Sequence, residues 1–188
     1  MGRPKQLLPF GPESMLGRVV RILSEVVDPI VVVTAAGHEL PPLPPGVLVA
    51  RDEHEDLGPL EGLAVGLSML RGRAEAAYVS SCDVPLLRPD FVRAMIEQLG
   101  RHDLAMPSGG QYHHPLAAVY RTDLEETVRG LISAGRMRPL FLVDECDAKL
   151  VDVETLRSVD PELDSLRNTN TPEDYQSALA RAGFDENT

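Results

Sequence analysis

The chain has 188 residues, 43% of them hydrophobic, and a formal net charge of −11 from 29 acids against 18 bases. That length and apolar content fit one domain spanning 1–188 with a substantial core, and they exclude a disordered chain. The acidic balance disfavours nucleic-acid backbones and anionic membrane surfaces, although a small basic pocket or a metal ion can reverse the field locally for a nucleotide.

The first eleven residues, "MGRPKQLLPFG", crowd glycine, proline, two cations and a short apolar run into one segment. They carry no basic-then-apolar secretory leader, and no later stretch approaches the roughly 18 apolar residues of a membrane span. Two cysteines without a CxxC pair suit a reducing cytoplasm.

Residues 14–28 place Leu16, Val19, Val20, Leu23 and Val27 at helical spacing, with Ser14 as N-cap. "PIVVVT" (29–34) then predicts a buried parallel strand, the proline-rich 40–46 a loop, and "VLVA" (47–50) a second strand. Pro59 opens a helix whose Leu60, Leu63, Leu67 and Leu70 form one stripe. "AAYVSS" (76–81) predicts a third strand, followed by a turn at "CDVPLLRP". A helix from Pro89 turns Phe91, Val92, Met95, Ile96 and Leu99 inward. Strands at 104–107 and 116–120 flank a turn at Ser108-Gly109-Gly110; helices follow at 122–134, 138–143 and 172–182. Such alternation predicts an α/β fold, a mainly parallel sheet covered on both faces, with no internal repeat or linker.

In sheets of this type, ligands bind beyond the carboxyl ends of the strands. Asp83 follows the third strand. It reads either as a carboxylate for magnesium, which takes one or two carboxylates and fills its shell with phosphate and water, or as the cap of the Val-Pro turn. Asp52 holds the same place after the second strand but heads an acidic run, Glu53, Glu55 and Asp56, that also reads as a solvated loop. Gly58 and Gly62 bracket a helix start where a phosphate could approach the backbone, or where the helix simply packs tightly. His113 and His114 lack further ligands at zinc spacing, and His54 and His102 stand alone. Cys82 reads as a small buried thiol. Thr171, Pro172, Glu173 and Asp174 make a strong helix start, yet Asn168 and Asn170 exceed what capping requires.

Together, "MGRPKQLLPFG", "GPLEGLAVGL", "CDVPLL", "HPLAAVY" and "NTNTPEDY" resemble the molybdenum cofactor guanylyltransferases over nearly the whole chain. The resemblance implies a three-layer, Rossmann-like nucleotidyltransferase fold. It also implies a reaction in which GMP passes from GTP to molybdopterin-bound molybdenum, with release of pyrophosphate. It assigns Lys5 to the triphosphate, Asp83 to a magnesium ion, Asp52 and Gly58 to the nucleotide site, and Asn170 to the phosphates. The implied setting is cytoplasmic, with GTP and the molybdopterin cofactor as partners and molybdoenzymes or their chaperones as recipients. A strand and a Gly-rich phosphate loop precede the Met-Gly motif in this family, so the natural protein is expected to begin about 10–15 residues earlier, a strand plus a short loop. "SAGRMRPLFLV" (133–143) and Asn168-Thr169-Asn170 favour guanylyl over cytidylyl transfer. The remaining alternative is a non-catalytic nucleotide- or partner-binding derivative of the fold.

Overall fold

The structure is a computed structural model that describes residues 4–52 and 58–184. The acidic run, His54 and the first three residues lie outside the described part.

A short antiparallel hairpin, β1 (Pro9–Phe10) and β2 (Glu13–Ser14), leads into helix α1 (Met15–Ser24). Ser14 caps α1 as its sequence position predicts, its side chain accepting from the Gly17 N–H at 3.0 Å. Strands β3 (Val31–Ala35) and β4 (Leu48–Asp52) pair in parallel. Helix α2 (Pro59–Leu70) follows, and all four leucines of its stripe are buried. Strand β5 (Ala76–Ser80), helix α3 (Pro89–Leu99), strand β6 (Leu104–Gly109), strand β7 (Tyr112–His113) and strand β8 (Ala117–Arg121) come next. A 3-10 turn (Thr122–Leu124) enters helix α4 (Glu125–Ser133), and a second (Pro139–Asp144) precedes strand β9 (Ala148–Asp152), the short helix α5 (Val153–Leu156) and helix α6 (Pro172–Arg181).

Strand β8 lies between β5 and β6 and runs antiparallel to both, while β6 and β9 are parallel. The larger sheet is therefore mixed, not mainly parallel. Its cause is chain length: only seven residues separate β6 from β8, too few for the crossover of a dozen or more that a parallel return requires. Since β5 and β6 both oppose β8, the strands β5, β6 and β9 share a direction, and their carboxyl ends lie along one edge.

Two-residue alternation divides this sheet between its covering helices. Leu104, Met106, Ala118 and Tyr120 pack with α2 and α4 on one face; Ala105, Ala117, Val119 and Val151 pack with α3 on the other. Two expectations of burial fail. Ile96 of α3 is 37% exposed, and in β3 only Val32 is fully buried. Ile96 and the five residues of β3 all belong to the wall of one cavity. Strand β9 and the β1–β2 hairpin have no counterpart in the sequence reading. The 3-10 turn at 122–124 takes the first residues of the helix expected at 122–134.

The N-terminal hairpin is held by the chain's other end. Leu8, Phe10 and Met15 pack with Ala178 and Leu179 of α6. The Tyr175 hydroxyl donates to the Pro9 carbonyl, and the Arg18 guanidinium lies 5.0 Å from the Phe10 ring centre and 5.5 Å from that of Phe184. Gly11 turns this hairpin at φ 62°, and a Cβ there would enter the Phe184 ring. Gly11→Ala is therefore expected to destabilise the protein by about 1–2 kcal/mol from the left-handed backbone alone. An unchanged thermal midpoint would show that the hairpin does not need this backbone.

Candidate active site

Strand β5 ends at Ser80, and the three residues after it, Ser81, Cys82 and Asp83, turn the chain at the carboxyl edge of the sheet. A second segment fixes that turn from outside. The Thr169 N–H and hydroxyl both donate to the Asp83 main-chain carbonyl, at 2.8 and 2.7 Å, and Thr169 is 1% exposed. A carbonyl with both lone pairs filled is a rigid anchor. Thr169→Val removes only the hydroxyl bond while keeping the shape. A stability loss of about 1 kcal/mol is expected, read as a lower urea midpoint with an unchanged slope.

The Asp83 carboxylate faces side chains, not the Val84-Pro85 turn. One oxygen accepts from Lys5 Nζ at 3.0 Å. The other accepts from the Ser81 hydroxyl and from Asn168 Nδ2, the latter at 3.4 Å. Lys5 also donates to Asn170 Oδ1 at 2.7 Å. Lys5, Asp83 and Asn170 thus form one continuous group drawn from the start, middle and end of the chain. The Lys5 side chain is 33% exposed and that of Asp83 12%, so the pair is reachable from solvent yet only partly screened.

Helix α6 places the asparagines. Thr171 and Asp174 form a reciprocal capping box, in which Asp174 accepts from the Thr171 and Asn170 N–H groups at 2.9 and 3.1 Å. Those bonds hold the Asp174 carboxyl below its usual range. They also fix the backbone at Asn170, whose side chain points to Lys5.

Asp52 and Gly58 stand elsewhere. Asp52 ends β4, opposite Ala35 of β3. Gly58 is the exposed N-cap of α2, with φ 70° and open space where a Cβ would sit. Neither belongs to the Lys5 hydrogen-bond group. Cys82 is a free thiol whose pKa is raised, first by burial and then by the Asp83 charge. It therefore stays protonated near neutral pH, unlike an activated nucleophile. His114 is shifted down by burial and then by His113. Among the described residues no three His, Cys, Asp or Glu side chains gather as metal ligands, and no helix is long and apolar enough to cross a membrane.

Sequence reasoning missed Ser81 and the part played by Thr169. The excess of asparagine before the helix cap was the available signal for the 168–170 segment.

A family model described as a MobA-like NTP transferase domain matches residues 1–159. The chain is 37% identical over 187 residues to a Mycobacterium ulcerans protein named "Probable molybdenum cofactor guanylyltransferase", covering 95% of this chain and 87% of that one. It is 35% identical over 190 residues to a Mycobacterium avium protein of the same name, covering 97% and 89%. Among solved structures, molybdopterin-guanine dinucleotide biosynthesis protein A of Archaeoglobus fulgidus superposes with a TM-score of 0.77 at 22% identity, covering 97% of this chain and 92% of that one. The 2-C-methyl-D-erythritol 4-phosphate cytidylyltransferase of Thermus thermophilus superposes at 0.71 and 16% identity, covering 96% and 94%. At those identities the structural likeness speaks for the nucleotidyltransferase fold alone.

Proposed function

Since the chain belongs to the MobA-like NTP transferase family, we propose that it transfers GMP from GTP to the molybdenum–molybdopterin cofactor and releases pyrophosphate. The observation that carries this reading is the joining of Lys5, Asp83 and Asn170 by direct hydrogen bonds across most of the chain.

In the proposed reaction a phosphate oxygen of the cofactor attacks the α-phosphorus of GTP. The bond from that phosphorus to the α–β bridging oxygen breaks, and pyrophosphate leaves with the electron pair. No covalent enzyme intermediate is required, so the protein acts by positioning and by neutralising charge. Lys5 supplies a fixed positive charge to the triphosphate. In the absence of substrate that charge is held by Asp83 and Asn170, which keeps the ammonium aimed along the carboxyl edge. Asn170 and Asn168 offer amide groups to phosphate oxygens. In this reading Asp52, at the end of β4, and Gly58, the N-cap of α2, serve the nucleotide.

A magnesium ion fits this donor set. With a single carboxylate, Asp83, and two amide side chains beside it, the site suits a cation that arrives with phosphate oxygens and water, not one caged by protein alone. Asp83 would hold it, and when bound it would neutralise the triphosphate and polarise the reacting phosphoryl group.

The test is pyrophosphate release with the molybdopterin cofactor, supplying GTP or CTP in parallel. Cofactor-dependent release at least about 10-fold faster with GTP is expected, a discrimination of about 1.4 kcal/mol. A preference for CTP would make the protein a cytidylyltransferase, and no release with either would leave a nucleotide-binding derivative.

A further inference from the structure

The Asp83 carboxylate divides its two oxygens between different kinds of partner. Oδ1 accepts from two uncharged donors, the Ser81 hydroxyl and Asn168 Nδ2. Oδ2 accepts from a cation, Lys5 Nζ, at 3.0 Å. The uncharged donors come from the turn that carries Asp83 and from the 168–170 segment, which Thr169 ties to the Asp83 carbonyl. They hold the carboxylate in one orientation. The bond to Lys5 is of another kind, because its donor ends a flexible four-carbon stem.

Only the root of that stem is fixed. Lys5 opens the 3-10 turn Lys5–Leu7, and its carbonyl accepts from the Leu8 N–H at 3.1 Å. The side chain crosses from there to Asp83 and Asn170 and stays partly exposed. An ammonium has three N–H donors. Two are used, and among the described residues no acceptor meets the third.

Charge then decides what else Oδ2 can take. Lys5 and Asp83 cancel, so the pair offers a divalent cation no net charge. Magnesium gives up its water reluctantly, and a neutralised carboxylate does little to offset that loss. An ammonium on the oxygen also repels a dication approaching the same atom. Among the described residues no three His, Cys, Asp or Glu side chains gather to take the place of this carboxylate. A triphosphate reverses the balance. Its oxygens compete with Asp83 for the ammonium, and the third N–H lets one of them engage before the two existing bonds are given up.

We propose that Lys5 is a latch on the cation site. In the nucleotide-free protein it occupies Oδ2 of Asp83 and shuts magnesium out, and the triphosphate opens the site by drawing the ammonium away. The latch rests on the nucleotidyl-transfer reading for its ligand, and it adds an order of events: the metal enters with the nucleotide or after it. The same movement frees Asn170 Oδ1, which now accepts from Lys5, so a second oxygen becomes available to the cation or to its water shell. Linkage requires the converse. A cation on Asp83 releases Lys5 to the triphosphate, and metal and nucleotide therefore tighten each other's binding by the same factor.

The probe is manganese(II) alone, added to the intact 188-residue protein without nucleotide and followed by loss of the free ion's electron paramagnetic resonance signal. Lys5→Met keeps the apolar stem and removes the ammonium. Weak binding is expected for the unaltered protein, and binding about 10-fold tighter or more, at one site, for Lys5→Met. Adding Asp83→Asn to that variant is expected to abolish the gain. Equal affinity with and without the ammonium would overturn the proposal, since Lys5 would then exclude nothing. A gain that survives Asp83→Asn would overturn it too, by placing the cation elsewhere. Neither measurement involves turnover, so the two readings fail separately. GMP transfer by a protein that binds manganese equally well in both forms would sink the latch alone, whereas a working latch without transfer would sink only the functional reading.

Discussion

Replacing Lys5 with alanine is expected to slow GMP transfer by about 10²-fold or more, equivalent to about 3 kcal/mol of transition-state stabilisation. The figure rests on where the charge sits. The ammonium is held at 3.0 Å from Asp83 and 2.7 Å from Asn170, in a setting where screening by water is only partial. A charge already aimed at the phosphates need not reorganise during the reaction, and its removal cannot be replaced by a mobile solvent ion at equal strength. Lys5→Arg keeps the charge but changes the compact ammonium to a planar fork, and an intermediate rate is expected. Single-turnover pyrophosphate release separates this loss from weaker GTP binding. A near-normal rate for the alanine variant would remove Lys5 from the mechanism.

Asp83→Asn is expected to lower turnover about 10²–10³-fold, with part of the activity returning as magnesium is raised. The amide keeps the size of the carboxylate and can still bond Ser81 or Asn168, but it lacks the charge that draws a hard cation. The fold should tolerate the change. Thr169 grips the main-chain carbonyl of Asp83, not its side chain, so the anchor survives the substitution. Activity against magnesium concentration, together with the thermal midpoint, decides the matter. A large fall in stability with no change in magnesium dependence would mean that the carboxylate serves the turn alone.

Much of this architecture is legible in local sequence because helix entries are local chemistry. Ser14, Pro59, Pro89 and the Thr171–Asp174 box each mark a helix start within a residue of its place. Strand direction is not local. The run at 116–120 reads the same whether its neighbours are parallel or antiparallel, and only the short return from β6 decides it. Strand β9 is not legible because Lys149 and Asp152 interrupt its apolar pattern in a strand that, among the described residues, pairs with β6 alone. Burial of β3 falls short of its sequence for a related reason: "PIVVVT" has the composition of a central strand, and composition cannot reveal that among the described residues β3 pairs with β4 alone. For the site, proximity of Asp83 to a strand end was readable, as was the surplus of asparagine at 168–170. That one ammonium would join them required the three-dimensional path of the chain.

The hydrogen bonds of Lys5 span 78 residues to Asp83 and 165 to Asn170. Such separations carry a consequence for synthesis. Strands β5, β6 and β8 and the helices α2, α3 and α4 around them need no residue beyond Ser133, and they can settle while translation continues. The lysine has no asparagine to meet until the ribosome has added those 165 residues, about 8–33 s later at 5–20 residues per second. Loop closure over such a distance also comes late in folding, after local contacts have formed. The Asp83 anchor and the packing of α6 on the first hairpin depend on the same late segment. A nascent or truncated chain can thus be largely folded and still lack its phosphate-facing group, which couples catalytic competence to synthesis of the 168–170 segment.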